Sequence, residues 1–193
     1  MRTLYDAYRV YLGSVNTRFL RYLYERIDWN LRLKMILGCR GVGKTTMMLQ
    51  HIILSGEQSS SLYVSADNPY FTTHTLYDTA YEFYKQGGKH LYIDEIHKYE
   101  NWSRELKEIY DLFRDLHVVV SGSSLIRFND GQADLSRRLV EYEMPGLSFR
   151  EYLWFETGLK IEPITIDQLL ADPAAFCIGI VRQLRPLDHF GNY

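Results

Sequence analysis

Apolar and polar positions alternate along this chain with two different periods. Val15, Phe19, Leu20, Leu23 and Ile27 recur at helical spacing and predict an amphipathic helix over residues 15–27. The run "LRLKMILG" then reads as a buried strand ending at Gly38. A helix from Gly43 follows, burying Met48, Leu49, Ile52 and Ile53, with Gly56 as its stop. "SLYVSADNP" reads as a short strand closed by an Asn-Pro turn. Residues 75–86 read as a helix with Leu76, Ala80 and Phe83 inward and the Gly87-Gly88 pair as terminator. "HLYIDE" is a third strand, and "NWSRELKEIYDLFRDL" a helix with Leu106, Ile109, Phe113 and Leu116 on one face. "HVVVSGSS" and "RLVEYEM" complete five predicted strands. Strands alternating with helices imply a parallel α/β sheet covered on both faces, and the uninterrupted apolar runs "MIL" and "VVV" suit burial on two sides.

The pattern changes after Pro145. In "LSFREYLWFETG", Ser148 and Glu151 have the spacing of a capping box, Leu147 and Tyr152 that of a hydrophobic staple, and Gly158 that of a stop. A further helix is expected from Pro173, burying Phe176, Cys177, Ile180, Val181 and Leu184. The expected division is a core over residues 1–147, its first 30 residues an N-terminal helical segment, and a helical extension over 148–193. The chain stops at "HFGNY" as if cut, so the extension reads as the start of a truncated lid or C-terminal domain.

Composition narrows the function classes. With 193 residues, 46% hydrophobic and 24% charged, the chain fits one folded domain with an appendage. A formal net charge of −2 provides no basic field for nucleic acid or an anionic membrane. No apolar run is long enough to span a bilayer and the first residues lack a signal-peptide core, so the expected location is the cytoplasm. The two cysteines, Cys39 and Cys177, lack a metal or redox spacing. The 16 scattered tyrosines read as packing residues with the hydroxyl at the surface.

The chemistry concentrates in "LGCRGVGKTT". Gly38, Gly43, Lys44 and Thr45 satisfy G-x-x-x-x-G-K-[ST] between a predicted strand and a predicted helix, the context a phosphate-binding loop requires. Glycines let successive backbone N–H groups converge on phosphate oxygens. The loop Gly38, Cys39, Arg40, Gly41, Val42, Gly43 and the helix start Lys44, Thr45, Thr46 form the candidate nucleotide cradle. Lys44 is a point charge for the β and γ phosphates, and Thr45 offers a hydroxyl to Mg²⁺. Cys39 reads as a small residue that fits the loop, in preference to a reactive thiol.

"LYIDE" places Asp94 and Glu95 at a strand end. Asp94 suits holding Mg²⁺ through its waters, and Glu95 a base for the attacking water, which favours hydrolysis over transfer to a bound acceptor. Ser123, with Ser121 and Ser124 as neighbours, is the candidate sensor of the γ-phosphate at the end of the fourth strand. Arg137 and Arg138 precede the fifth strand, where an arginine either projects into a neighbouring subunit's site or is a solvated surface residue.

Five stretches, "GCRGVGKTTMMLQ", "LYVSADNP", "LYIDEIHKYENWSRELKEIYD", "VVVSGSSL" and "ADLSRRLVEYEMPGLSFREYL", resemble in that order the AAA+ ATPases. They are most similar to an archaeal-type group also widespread in bacteria. The resemblance covers residues from about 16 to 155. It implies a three-layer P-loop NTPase whose five-stranded parallel sheet has the order 5-1-4-3-2, with the N-terminal helix and following loop framing the adenine. It implies ATP rather than GTP, Mg²⁺, and a C-terminal domain, often nuclease-like, of which almost nothing is present here. That family's second lid sensor has no assignable counterpart in residues 148–193. Its Leu-Ser-Gly-Arg appears here as "LSRR", so Arg138 holds the arginine position and Arg137 replaces the glycine. The expected function is Mg²⁺-dependent ATP binding and hydrolysis that moves a C-terminal domain or partner, with a homo-oligomer through Arg138. The alternatives are a nucleotide-gated binding module and an ATPase acting on DNA, the latter disfavoured by the acidic charge.

Overall fold

The computed structural model describes residues 1–123, 135 and 137–193. These fall into two compact units, Met1–Gly146 and Leu147–Tyr193. The first is built on five strands: β1 Leu33–Leu37, β2 Ser61–Ser65, β3 His90–Asp94, β4 His117–Gly122 and β5 Val140–Glu143. All pair in parallel, in the order β2-β3-β4-β1-β5. This is the 5-1-4-3-2 order that the family resemblance implies, and helices cover both faces. Four of them belong to this unit: α1 Arg2–Ser14, α2 Lys44–Leu54, α3 Leu76–Lys85 and α4 Trp102–Leu112. Met35, Ile36, Leu91, Ile93, Val118, Val119 and Val120 are all buried, which is why their strands carry no polar alternation.

Three expectations need correction here. The predicted helix over 15–27 is absent: residues 15–21 are irregular and only a 3₁₀ turn forms at Tyr22–Arg26. Local and distant partners take the backbone groups a helix would use. Asn16 Oδ1 accepts from the Arg18 amide, and the buried Gln50 side chain donates to the carbonyls of Asn16 and Phe19 at 2.7 and 2.8 Å. The N-terminal helix lies earlier, at Arg2–Ser14, with Leu4 and Tyr8 buried on one face. The helix predicted to reach Leu116 ends at Leu112, where Arg32 Nη2 donates to the carbonyls of Tyr110 and Phe113. Phe113 and Leu116 are buried nonetheless, from the turn that follows. In α2, Met47 is buried, while Ile53 is only half-buried.

The second unit contains α5 Phe149–Thr157, α6 Ile166–Ala171, α7 Pro173–Gln183 and α8 Pro186–Phe190. The capping box at its start is present: Ser148 Oγ accepts from the Glu151 amide while Glu151 Oε2 accepts from the Ser148 amide. Gly158 ends α5 with φ +76°. A helix does begin at Pro173, but its expected burial is not found. Phe176, Ile180 and Leu184 are half-buried, one row at four-residue spacing, whereas Cys177 and Val181 are exposed. No described helix is long and apolar enough to cross a membrane.

Candidate nucleotide site

Four strand ends converge at the carboxyl edge of the sheet. β1 runs into the loop Gly38–Gly43 and then α2, whose first residue is Lys44. Gly38 is required by proximity, since a Cβ there would lie 2.5 Å from the Met144 carbonyl oxygen just after β5. Gly41 and Gly43 take φ of +83° and +100°, which side-chain-bearing residues rarely adopt. Lys44 is buried, its ammonium donating to the carbonyls of Gly38 and Cys39 at 2.8 Å each, so it braces the curl of the loop. Cys39, Arg40, Gly41 and Thr46 are exposed along the cradle, and Cys39 is in no disulfide.

Asp94 closes β3 and is 3% exposed. Its carboxylate accepts from Thr45 Oγ1 at 2.5 Å and Tyr63 OH at 2.7 Å on one oxygen, and from Ser121 Oγ and the Glu95 amide on the other. These donors replace the water that burial removes from the carboxylate. Glu95 follows with φ +53°, the one positive φ outside glycine among the described residues, a conformation costing about 1–2 kcal/mol. Its amide also lies 3.1 Å from Ser121 Oγ, which holds the turn in that shape. Glu95 Oε2 lies 3.4 Å from His97 Nε2.

Gly38, Arg40, Lys44, Asp67, Glu95, His97, Lys98 and Ser123 line a single cavity of about 400 Å³. Gly38, Arg40 and Lys44 of the predicted cradle thus share one pocket with Glu95 and Ser123, while the Thr45–Asp94 hydrogen bond joins the residues next to Lys44 and Glu95. The serines divide: Ser123 reaches the cavity, Ser121 is fully buried against Asp94, and Ser124 lies outside the described residues. Arg138 is not among the lining residues. Its Nε and Nη2 fork onto the Asp111 carboxylate of α4 at 2.9 and 3.1 Å, while Arg137 is exposed.

Several contributors escaped the sequence reading. Tyr63 was expected to keep its hydroxyl at the surface; instead the hydroxyl is buried on Asp94, and burial followed by that carboxylate's charge pushes its pKa up. Only the β2–β3 pairing brings the two together, and nothing local in "SLYVS" signals it. Arg21 is 6% exposed and donates to the carbonyls of Val42, Pro145 and Gly146, tying the phosphate loop to the segment after β5. His97 and Lys98 stood inside the quoted "DEIHK" run without a role. Their place directly after the acidic pair was the available signal.

A sequence profile of the AAA domain family matches residues 30–153, from the approach to β1 into α5. An uncharacterised protein of Methanocaldococcus jannaschii, MJ1637, is 30% identical over 163 residues, covering 77% of this chain and 34% of its own length. The chain therefore spans about a third of that relative. A solved structure, that of C. elegans PCH-2, superposes with a TM-score of 0.42 at 17% identity, covering 86% of this chain and 50% of that one. With the matched segment enclosing the phosphate loop, Asp94 and Glu95, the chain belongs to the AAA domain family and is a nucleotide-binding module of the ATPase type.

Proposed function

We propose that this module hydrolyses ATP with Mg²⁺ and that the nucleotide state is passed to the region beyond residue 146. The carrying observation is the shared cavity: Lys44, Glu95 and Ser123 line it, and Thr45, next to Lys44, is hydrogen-bonded to Asp94, next to Glu95. Thr45 Oγ1 and Asp94 are hard oxygen donors and fit a magnesium ion. No group of three His, Cys, Asp or Glu side chains among the described residues is arranged to hold a metal. That suits Mg²⁺, which retains several waters and needs only one or two protein ligands. When bound, the ion supplies charge neutralisation along the phosphates.

The chain's own residues do the rest. The loop amides and Lys44 cradle the phosphates, Ser123 contacts the terminal one, and Glu95 takes a proton from the attacking water. Arg21 makes the loop and the exit toward the second unit mechanically continuous, because one guanidinium binds Val42, Pro145 and Gly146.

Phosphate release from ATP and Mg²⁺, measured across about a hundredfold range of protein concentration, tests this reading. Glu95→Gln is expected to lower turnover by about 10²–10⁴, with ATP still bound by calorimetric titration. An unchanged rate removes Glu95 as base. Binding without turnover in the unsubstituted chain would favour a nucleotide-gated module instead.

A further inference from the structure

On the pocket wall, beside the parts already assigned, Glu95 Oε2 and His97 Nε2 lie 3.4 Å apart. Both side chains line the cavity and both are partly open to solvent, Glu95 at 33% and His97 at 26%. A glutamate on an open wall has three rotatable bonds and no reason to keep its carboxylate in one place. Here the backbone beneath it is fixed. The Glu95 amide is held by Asp94 Oδ1 and Ser121 Oγ, the Lys98 amide donates to the Glu95 carbonyl at 2.8 Å, and the Tyr99 amide donates to Ile96 at 3.1 Å. Ile96 between them is fully buried, so the turn that carries both side chains is anchored in the core.

The histidine ring adds a second clue. His97 Nδ1 is buried and has no hydrogen-bond partner. Nε2, the nitrogen that faces Glu95, is therefore the ring nitrogen with a polar neighbour, and an N–H there has a carboxylate to donate to. Among the described residues Glu95 is the one side chain that gives the ring a polar partner.

We propose that His97 is a positioning residue: its Nε2–H holds Glu95 Oε2, which limits the carboxylate's rotamers and leaves Oε1 to receive the water proton. The proposal rests on the reading of Glu95 as the base. Misplacing a catalytic group by about an ångström costs up to about 10² in rate, so loss of one such restraint is expected to cost about tenfold.

The test is a set of four variants assayed for phosphate release and ATP affinity. His97→Ala is expected to lower kcat by about tenfold with KM and ATP affinity unchanged, and His97→Gln, whose amide can donate in the same direction, to recover most of the loss. In a Glu95→Gln background, His97→Ala is expected to change nothing further, since its effect acts through Glu95. Strong dependence on Glu95 with indifference to His97 overturns this proposal alone. Losses that multiply in the double variant, or a Gln variant no better than Ala, overturn it as well. A chain with no turnover at all overturns the base assignment, and the contact is then read by the ¹⁵N shift of the His97 ring. An Nε2 signal unmoved by Glu95→Gln overturns the pairing too.

Discussion

Asp94 and Lys34 are buried at opposite ends of the sheet and are treated in opposite ways. At the carboxyl edge Asp94, 3% exposed, accepts from three hydroxyls and a backbone amide. At the amino edge Lys34, 1% exposed, has the Trp29 carbonyl at 2.8 Å and the Trp29 ring 5.7 Å away. Burial pushes its pKa down to about 8, against an opposing pull from Asp28. Its surroundings include three histidines, one of which, His90, pairs with Glu57 at 3.1 Å. His51 stacks on Trp29 with ring centroids 3.7 Å apart and is pushed down to about 4, by burial first and then by Lys34. His90 and His117, 5.2 Å apart at the starts of β3 and β4, are also lowered by burial. One edge surrounds its carboxylate with hydrogen-bond donors; the other lowers the pKa of its bases by burial, so its pH response reads out in stability.

The largest separation of the two edges is expected from Lys44→Ala. Removing the ammonium that braces Gly38 and Cys39 should weaken ATP binding by about 10²-fold, the worth of charge-assisted hydrogen bonds to phosphate. Calorimetric titration reads it directly. Unaltered affinity would detach Lys44 from the phosphates and dissolve the contrast from the carboxyl side.

The amino edge is tested by pH. Lys34 has its folded pKa below the unfolded value of 10.5, so the unfolded chain holds more protons between about pH 8 and 10.5 and stability rises with pH across that window. Compared with Lys34→Met, the unsubstituted chain should gain up to about 3 kcal/mol over that interval in urea unfolding. The comparison cancels the buried tyrosines, which ionise only on unfolding. His51 acts on the acid side. Its folded pKa near 4 lies below 6.5, so stability is full above about pH 6.5 and is lost as pH falls toward 4. Allowing for partial exposure, the loss is on the order of 2 kcal/mol, and His51→Phe should remove it. Parallel pH curves for variant and parent would show that the edge does not exclude charge as described.

The two edges were unequally legible in the sequence. The phosphate loop, Asp94, Glu95 and Ser123 are sequence-local signals at the ends of apolar runs, and the strands themselves are marked by Met35, Ile36 and Val118–Val120. What failed was everything that depends on a distant partner. Gln50 unwinds the expected helix after Val15 by taking the Asn16 and Phe19 carbonyls, and Arg32 truncates α4. Tyr63 meets Asp94 only through strand pairing. The true N-terminal helix was hidden because one of its buried positions is Tyr8, whose ring packs in the core while its hydroxyl reaches the Gln58 carbonyl.

The smallest expected effect concerns Arg138, whose guanidinium is held by Asp111 with side-chain exposures of 26% and 41%. A partly exposed pair of this kind is worth at most about 1 kcal/mol, so Arg138→Ala should shift the urea midpoint only slightly. Asp111→Ala should also cost little, and the double variant less than the sum of the two, because they share this contact. A finger acting in a neighbouring copy makes a different demand. Arg138→Ala would then cost about 10³–10⁵ in turnover, and the rate per subunit would climb with protein concentration. The bidentate hold on α4 of the same chain favours the small effect, with a rate per subunit that stays flat on dilution. A steep concentration dependence abolished by Arg138→Ala would instead mean that the arginine leaves Asp111 on assembly, and that the carboxyl edge is completed by a second copy.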